Sequence, residues 1–427
     1  MSKSAFKDRD SDEAVALTRR SEAARLEEAV GLAQAIELEI VHQGVIGLNK
    51  IKAATLFGSG KVDEITGIVT SLDAGLVIVD HPLTPIQQRN LEKAWNAKVM
   101  DRTGLILEIF GARAQTKEGR LQVELAHLNY QKGRLVRSWT HLERQRGGGG
   151  GSGGFLGGPG ETQIESDRRQ LQDRVNRLEK ELEKVRRTRT LHRSKRKKVP
   201  HPIVALVGYT NAGKSTLFNN MTGADVMAKD MLFATLDPTL RRLILPEGTQ
   251  VIVSDTVGFV SDLPTHLVAA FRATLEEVIE ADLILHVRDI ADPDTAAQSA
   301  DVYAILDQLG IGSAGHERVL EVWNKIDLLD EDRLEAVRQR TQSKEALLVS
   351  AQSGEGVAEL KTAIEARIAG HQAILDINLA LDAMDQLGWI YENTHVIDRK
   401  DCEDGTLALK LRVADKLRSE LETRLAA

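Results

Sequence analysis

The sequence predicts an α/β protein of several domains, with a doubly wound, phosphate-binding unit at its centre. Three observations predict it. Val204–Thr216 reads VALVGYTNAGKST, an apolar strand-like run broken at Gly208 and closed by Gly213-Lys214-Ser215 ahead of a helix-like run. That is GxxxxGKS in the strand-then-helix context that gives it meaning, because the glycines let backbone N–H groups and a helix N-terminus face an anion. From His201 to about Ala369 strand-like and helix-like runs alternate, with short polar motifs where strands end. Lastly, 427 residues exceed what one core accommodates, and 42% hydrophobic with 28% charged residues is ordinary globular composition. The expected division is an arm (1–28), an α/β domain (29–113), a helical hairpin (114–198), the phosphate-binding domain (199–370) and a small α/β domain (371–427).

Residues 1 to about 28 are polar and charged without sustained period, which predicts a mobile arm with at most a frayed helix. From Ala35 to Ala112, β-branched runs such as Leu76-Val77-Ile78-Val79 alternate with helical stretches such as Thr84–Asn96, and Gly58-Ser59-Gly60 marks a turn. The GSGK at Gly58–Lys61 lacks the spacing of a second phosphate loop and reads as a turn. Thr116–Glu143 reads as one long helix, with Leu121, Leu128, Leu135 and Leu142 seven apart and Leu125 and Trp139 between them. A matching seam runs through Ile164, Leu171, Val175, Leu178, Leu182 and Val185. Two helices of about thirty residues would each be about 45 Å long. Between them lies GGGGGSGGFLGGPG, Gly147–Gly160, too rich in glycine for either helix. An antiparallel hairpin with a glycine-rich tip satisfies both seams; a flexible linker between independent helices is the alternative.

Charge is unevenly spread. The formal net charge of −7 argues against a wholly basic nucleic-acid binder, yet Arg186, Arg187, Arg189, Arg193, Lys195, Arg196, Lys197 and Lys198 crowd together without acids. Such a block marks a polyanion contact or a disordered tether. Arg134, Arg137, Arg144 and Arg146 near the glycine tip, with Phe155-Leu156, suit folded RNA. At 4% aromatics, shape and backbone recognition fit better than base stacking. A single cysteine, Cys402, excludes an internal disulfide framework and fits a reducing cytosol. With no signal-like N-terminus and no run of roughly 18 apolar residues, a cytoplasmic, soluble monomer without a membrane span is expected.

The chemistry lies in the central domain. Lys214 reaches terminal phosphates and Ser215 is placed to ligate magnesium, within a loop made of Gly208, Tyr209, Thr210, Asn211, Ala212 and Gly213. Phe233, Ala234, Thr235, Leu236, Asp237, Pro238 and Thr239 form a polar turn whose threonine can bind magnesium and sense a third phosphate; Thr235 is the choice and Thr239 the alternative. Val251-Ile252-Val253 leads into Asp255, Thr256, Val257 and Gly258, a DxxG in which Asp255 holds magnesium through water and the Gly258 N–H bonds the third phosphate. Val319–Val322 ends in Asn324, Lys325, Ile326 and Asp327, whose carboxylate matches the N1–H and 2-amino donors of guanine. Leu347-Leu348-Val349 runs into Ser350 and Ala351, then Gln352, where backbone can meet guanine O6. Lys214, Thr235 and Gly258 are the candidate catalytic residues; Ser215 and Thr235 are the candidate metal ligands.

GYTNAGKST, FATLDPT, DTVGF and NKID together resemble the HflX family of translational GTPases, as do DRTGLILEIF (Asp101–Phe110) and GPGETQIE (Gly158–Glu165) upstream. The resemblance runs from about Ala35 to the C-terminus. It implies an α/β N-terminal domain, a helical hairpin, a Ras-like P-loop G domain and a small C-terminal α/β domain. It also implies magnesium-dependent hydrolysis of GTP to GDP and phosphate, binding to the large ribosomal subunit and its RNA, and ribosome splitting or rescue under stress. Residues Ile374 to Leu425 read strand, helix, strand, helix, and their function rests on the resemblance alone.

Two departures from Ras-like switches bear on mechanism. Phe259 follows Gly258 where the Ras pattern has a water-orienting glutamine. Asn211 matches the position that coordinates potassium in several related GTPases, or else stiffens the loop by a hydrogen bond. Two rival classes remain. A GTPase of tRNA modification or metallocentre assembly would need its own chemistry, and no His/Cys cluster with ligand spacing is present. A structural RNA-binding protein with an idle pocket would show no multiple turnover of GTP.

Overall fold

The computed structural model describes residues 20–48, 50–146, 159–196, 201–224, 232–233, 238–261, 272–312, 317–341, 346–369, 372–402 and 406–425. The first element, α1 (Glu22–Gln34), corrects the expected arm. Ser21 caps it by accepting the Ala24 N–H, and Glu28, Leu32 and Ala33 are buried along it. A buried glutamate masked the helical period, because polarity alone marked Glu28 as surface. Residues 1–19 lie outside the described residues.

The N-terminal domain follows. Helix α2 (Ser59–Ser71) begins right after Gly58, so the GSGK stretch is a helix start, not a phosphate loop. Strand β1 (Leu76–Val79) pairs in parallel with β2 (Lys98–Asp101) across α3 (Pro85–Trp95). Thr84, Pro85 and Gln87 define the start of α3: Thr84 and Gln87 form a capping box, and proline at the first helical position surrenders an N–H that would have no partner. Helix α4 (Arg102–Arg113) is buried along Arg102–Leu107 and again at Ile109 and Phe110. Burial of all but Glu108 and the last turn has a cause. One side rests on the N-terminal domain, and another joins Leu32 and Ala35 to Val257, Phe259, Val260 and Leu275 in a core shared with the next domain but one.

Helices α5 (Lys117–Arg146) and α6 (Pro159–Arg196) form the hairpin. Glu124 meets Arg174 and Lys132 meets Gln172, so one index rises as the other falls and the pair is antiparallel. Leu121, Leu128, Val175, Leu178 and Leu182 make its seam, flanked by Leu125, Leu171 and Val185. The side chains of Leu135, Trp139, Leu142 and Ile164, the tip 147–158 and most of the basic block lie outside the described residues, although Arg187 is exposed.

The G domain is a six-stranded sheet ordered β4-β5-β3-β6-β7-β8, comprising β3 (Ile203–Val207), β4 (Thr239–Ile244), β5 (Gln250–Asp255), β6 (Leu283–Asp289), β7 (Val319–Asn324) and β8 (Leu347–Leu348). Only the edge strand β4 runs antiparallel to its neighbour. Helices α7 (Lys214–Thr222) and α11 (Val357–Ala369) cover one face, and α8 (Arg272–Ile279) and α9 (Thr295–Gln308) the other; α10 (Glu331–Thr341) packs beside β7 and β8. Strands covered on both faces must be apolar throughout, which is why β3 reads IVALV without alternation.

The last domain departs from the strand, helix, strand, helix expectation. Strand β9 (Gln372–Leu379), helix α12 (Leu387–Asn393), strands β10 (His395–Asp401) and β11 (Leu407–Ala414) and helix α13 (Asp415–Leu425) form a three-stranded antiparallel sheet ordered β10-β11-β9. The extra strand arises because β10 and β11 are a hairpin. The Asp404-Gly405 dipeptide between them is a strong hairpin signal that a coarse reading passes over.

Candidate functional site

The predicted motifs converge at the C-terminal ends of β3, β5, β7 and β8. The loop Gly208–Gly213 leaves β3 and enters α7 at Lys214. Gly208, at φ +153°, sits where an added Cβ would come within 2.1 Å of the Val287 carbonyl oxygen, and Gly213, at φ +88°, where it would meet Asn324 Nδ2 at 2.2 Å. Both positions therefore require glycine. Asn211 is exposed and holds a left-handed φ of +60°. Tyr209 and Ala212 are buried, as is Thr210.

Lys214 is buried, and its ammonium donates to the carbonyls of Tyr209 (2.7 Å) and Gly208 (3.1 Å). Burial lowers its pKa to about 8, against the opposing pull of Asp255. A desolvated ammonium over a loop of backbone N–H groups is suited to a polyphosphate, whose charge would restore its own. Ser215 donates to Asp255 at 2.7 Å, so the two groups assigned to magnesium are brought together. Gly258 lies against the loop: a Cβ there would fall 2.9 Å from Thr210 Cα and 3.0 Å from Lys214 Nζ. Thr256 donates to the Leu206 carbonyl and is buried, a structural role that fixes the strand end. Val257 is buried in the shared core.

Asn324 binds two motifs at once. Its Nδ2 donates to the Ala212 carbonyl (2.8 Å) and its Oδ1 accepts the Ala351 N–H (2.9 Å), which ties the phosphate loop to the Ser350-Ala351 turn. Lys325 has φ +68° and pairs with Asp289 at 2.7 Å. Ile326 is buried, whereas Asp327 is exposed in the short 3-10 turn Ile326–Leu328, open to a base. Ser350 is fully buried and accepts the Ser353 N–H, while Gln352 is exposed.

Of the polar turn, Ala234, Thr235, Leu236 and Asp237 lie outside the described residues. The Phe233 ring is buried, in edge contact with Phe110 of α4 at 4.7 Å, so the ring is turned to the core and not to a ligand. Thr239 opens β4 opposite Asp255.

Sequence reasoning missed a polar cluster that joins this site to the N-terminal domain. The Tyr209 hydroxyl donates to Glu28 and accepts from Arg20 (2.8 Å) and from the Ser261 N–H (2.7 Å). Arg102 bonds Glu28, Asp80 (2.6 Å), the Ser261 carbonyl (2.9 Å) and the Ser261 hydroxyl (3.0 Å). Burial pushes the Glu28 carboxyl up, but Arg102 and Arg20 outweigh it and hold the group below the usual carboxylate range. One signal was available in the sequence. An arginine that opens an otherwise apolar helix opposes the helix dipole, which favours anions at that end, so it needs a dedicated partner.

Four family models together match most of the chain: "GTP-binding GTPase N-terminal" over 23–111, "GTP-binding GTPase Middle Region" over 113–196, "50S ribosome-binding GTPase" over 203–325 and "HflX C-terminal domain" over 336–427. The chain is 48% identical over 402 residues to "GTPase HflX" of Magnetococcus marinus, covering 93% of this chain and 90% of that protein. It is 44% identical over 357 residues to "GTPase HflX" of Escherichia coli, covering 83% and 82%. Among solved structures, a GDP complex of a GTP-binding protein from Sulfolobus solfataricus matches at 23% identity and a TM-score of 0.43, covering 80% of this chain and 94% of that one. Four family models that together span most of the chain, and relatives of 44–48% identity over more than four-fifths of it, lead to one conclusion: the protein belongs to the HflX family of GTPases.

Proposed function

We propose that this GTPase is a switch that binds the large ribosomal subunit and splits or rescues ribosomes under stress, with the hairpin on ribosomal RNA and the G domain coupling nucleotide state to binding. The observation that carries the reading is the joining of two parts. One is a G domain matched by a model described as a 50S ribosome-binding GTPase; the other is an antiparallel hairpin whose second helix runs into a block of eight basic residues. Such a block, salt-sensitive in its contacts, suits the phosphates of folded RNA.

In this reading Lys214 and the loop N–H groups hold the β and γ phosphates. Ser215 and Thr235 would ligate magnesium and Asp255 would hold it through water, while the Gly258 N–H would take the γ phosphate. The close pairing of Ser215 with Asp255 fits a magnesium ion, which neutralises charge building on the phosphates. Asp327 selects guanine, and the Ala351 backbone, held by Asn324, meets O6. Potassium at Asn211 is a further candidate.

Co-sedimentation with separated ribosomal subunits, comparing GDP with a non-hydrolysable GTP analogue, tests the partner. Binding to the large subunit that depends on the GTP analogue and weakens steeply with salt is expected. Replacing Gly147–Gly160 by a two-glycine turn should leave GTP affinity intact while impairing subunit binding or splitting. Full activity of the shortened protein on ribosomes would remove the tip from the mechanism.

A further inference from the structure

Two consecutive side chains at the start of α4 hold different parts of the molecule. Asp101 caps the helix and spends both oxygens. Oδ1 accepts from the Gly104 N–H (2.8 Å) and the Tyr130 hydroxyl (2.6 Å); Oδ2 accepts from the Leu83 N–H (3.1 Å) and Arg134 (2.7 Å). Tyr130 and Arg134 stand one turn apart on α5, with the guanidinium 4.1 Å from the ring centroid, so Asp101 grips the root of the hairpin. Arg102 grips the other side. Its partners are Glu28, Asp80 and, across the domain boundary, both oxygens of Ser261.

Ser261 lies three residues beyond Gly258, and its own N–H reaches the hydroxyl of Tyr209 in the phosphate loop. The segment between is tied to that loop through the Phe259 N–H on the Gly208 carbonyl (3.1 Å) and the Thr210 N–H on the Phe259 carbonyl (2.7 Å). A γ phosphate that draws the Gly258 N–H toward it therefore pulls on a segment whose far end is fastened to Arg102. The Arg102 side chain is nearly buried, so losing its partners would leave a charge in low dielectric. Burial of α4 on most sides means that it responds as a body, carrying Asp101 with it.

We infer that Arg102 is a positioning residue for the GTPase centre, holding the Gly258–Ser261 segment from the N-terminal domain, and that through Asp101 the same helix end transmits the state of that segment to the hairpin root at Tyr130 and Arg134. Neither residue belongs to the motifs assigned to the nucleotide. Arg102 acts through Ser261 and through Glu28 on Tyr209; Asp101 acts through Tyr130 and Arg134.

The test uses the full chain and nucleotide alone, so its outcome is independent of the ribosomal reading. Hydrogen exchange over 119–134 is compared with GDP and with a non-hydrolysable GTP analogue bound, beside the single-turnover rate of GTP hydrolysis and the affinity for GDP. The parent protein should show a nucleotide-dependent difference in exchange at the hairpin root. Arg102→Gln should shrink that difference about fivefold or more and slow hydrolysis about tenfold, with GDP affinity within about threefold, and Arg102→Lys should restore part of both. Asp101→Asn keeps a capping side chain but loses the charge that holds Arg134; it should abolish the hairpin response and leave hydrolysis unchanged. If Arg102→Gln fails to fold, Ser261→Ala, which removes only the hydroxyl shared by Arg20, Arg102 and Glu28, is read in the same way. A parent protein with no difference at the hairpin root, or folded Arg102 and Ser261 variants with unchanged exchange and rate, would overturn the inference.

Discussion

In the proposed reading one exposed carboxylate, Asp327, selects the base. It is exposed in a 3-10 turn beside buried Ile326, three residues after Asn324, whose side chain is tied to Ala212 and Ala351. Guanine offers a carboxylate two adjacent donors, N1–H and the 2-amino group, whereas at the same edge adenine presents only the N1 lone pair and a C2–H. A site built for such a pair rejects a base lacking the donors by about 10⁴-fold or more. Asp327→Asn should accordingly weaken GTP binding by about 10²-fold or more and improve binding of XTP, whose edge reverses one donor. Unchanged GTP affinity in the variant, or equal competition by ATP in the parent, would show that Asp327 does not read the base.

At the scale of elements, the segment after Gly258 is the informative one. Phe259 has no donor or acceptor to align water, and its ring is 2% exposed in the core shared by α1, α4 and the G domain. The residue is committed to packing, and the loop it belongs to is pinned at both ends. Slow hydrolysis by the isolated protein is therefore expected; for scale, a Ras protein lacking its activator turns over on the order of 10⁻⁴ s⁻¹. Acceleration has to come from reordering around Phe259 or from charge added beside the phosphates, for which potassium at Asn211 is the proposed source. Single-turnover rates with and without ribosomal subunits, in potassium and in sodium, separate the two. Subunits should raise the rate well above basal; no stimulation would dismiss reordering, and equal rates in both salts would dismiss the cation.

At the scale of the whole molecule, stability should depend on pH through His286 on β6. Burial lowers its pKa to about 3, with Glu321 opposing and Arg288 and Lys214 adding to the fall, so the imidazole is neutral in the fold. An unfolded chain would take up that proton near 6.5. The unfolded state thus binds more protons between about 6.5 and 3, and stability falls as pH drops through that window, with a slope approaching ~1.4 kcal/mol per pH unit from this group. Urea midpoints followed at pH 7 and pH 5 should differ more in the parent than in His286→Leu. An equal difference in both proteins would mean that the imidazole does not drive the acid sensitivity.

Where the sequence sufficed, the physics was local. A phosphate loop is one strand end, one turn and one helix start, so GxxxxGKS carries its whole geometry in eight positions, Gly208–Ser215. Heptad leucines likewise declare a seam, and Leu121, Leu128, Val175, Leu178 and Leu182 are buried where the period places them. The cluster joining the domains had no such signature. Glu28 and Arg102 are 74 positions apart, and Glu28 and Ser261 are 233 apart. No period links them; Arg102 at a helix start signals that it needs a partner, but nothing in the chain says which residue that partner is. The same holds for α1, whose burial depends on a neighbour that comes much later in the chain, and for Phe233 and Phe259, whose rings turn to an interdomain core that local motifs cannot reveal. Spacing within one turn of chain determined the chemistry at the nucleotide; only the packing of distant segments decided what that chemistry is fastened to.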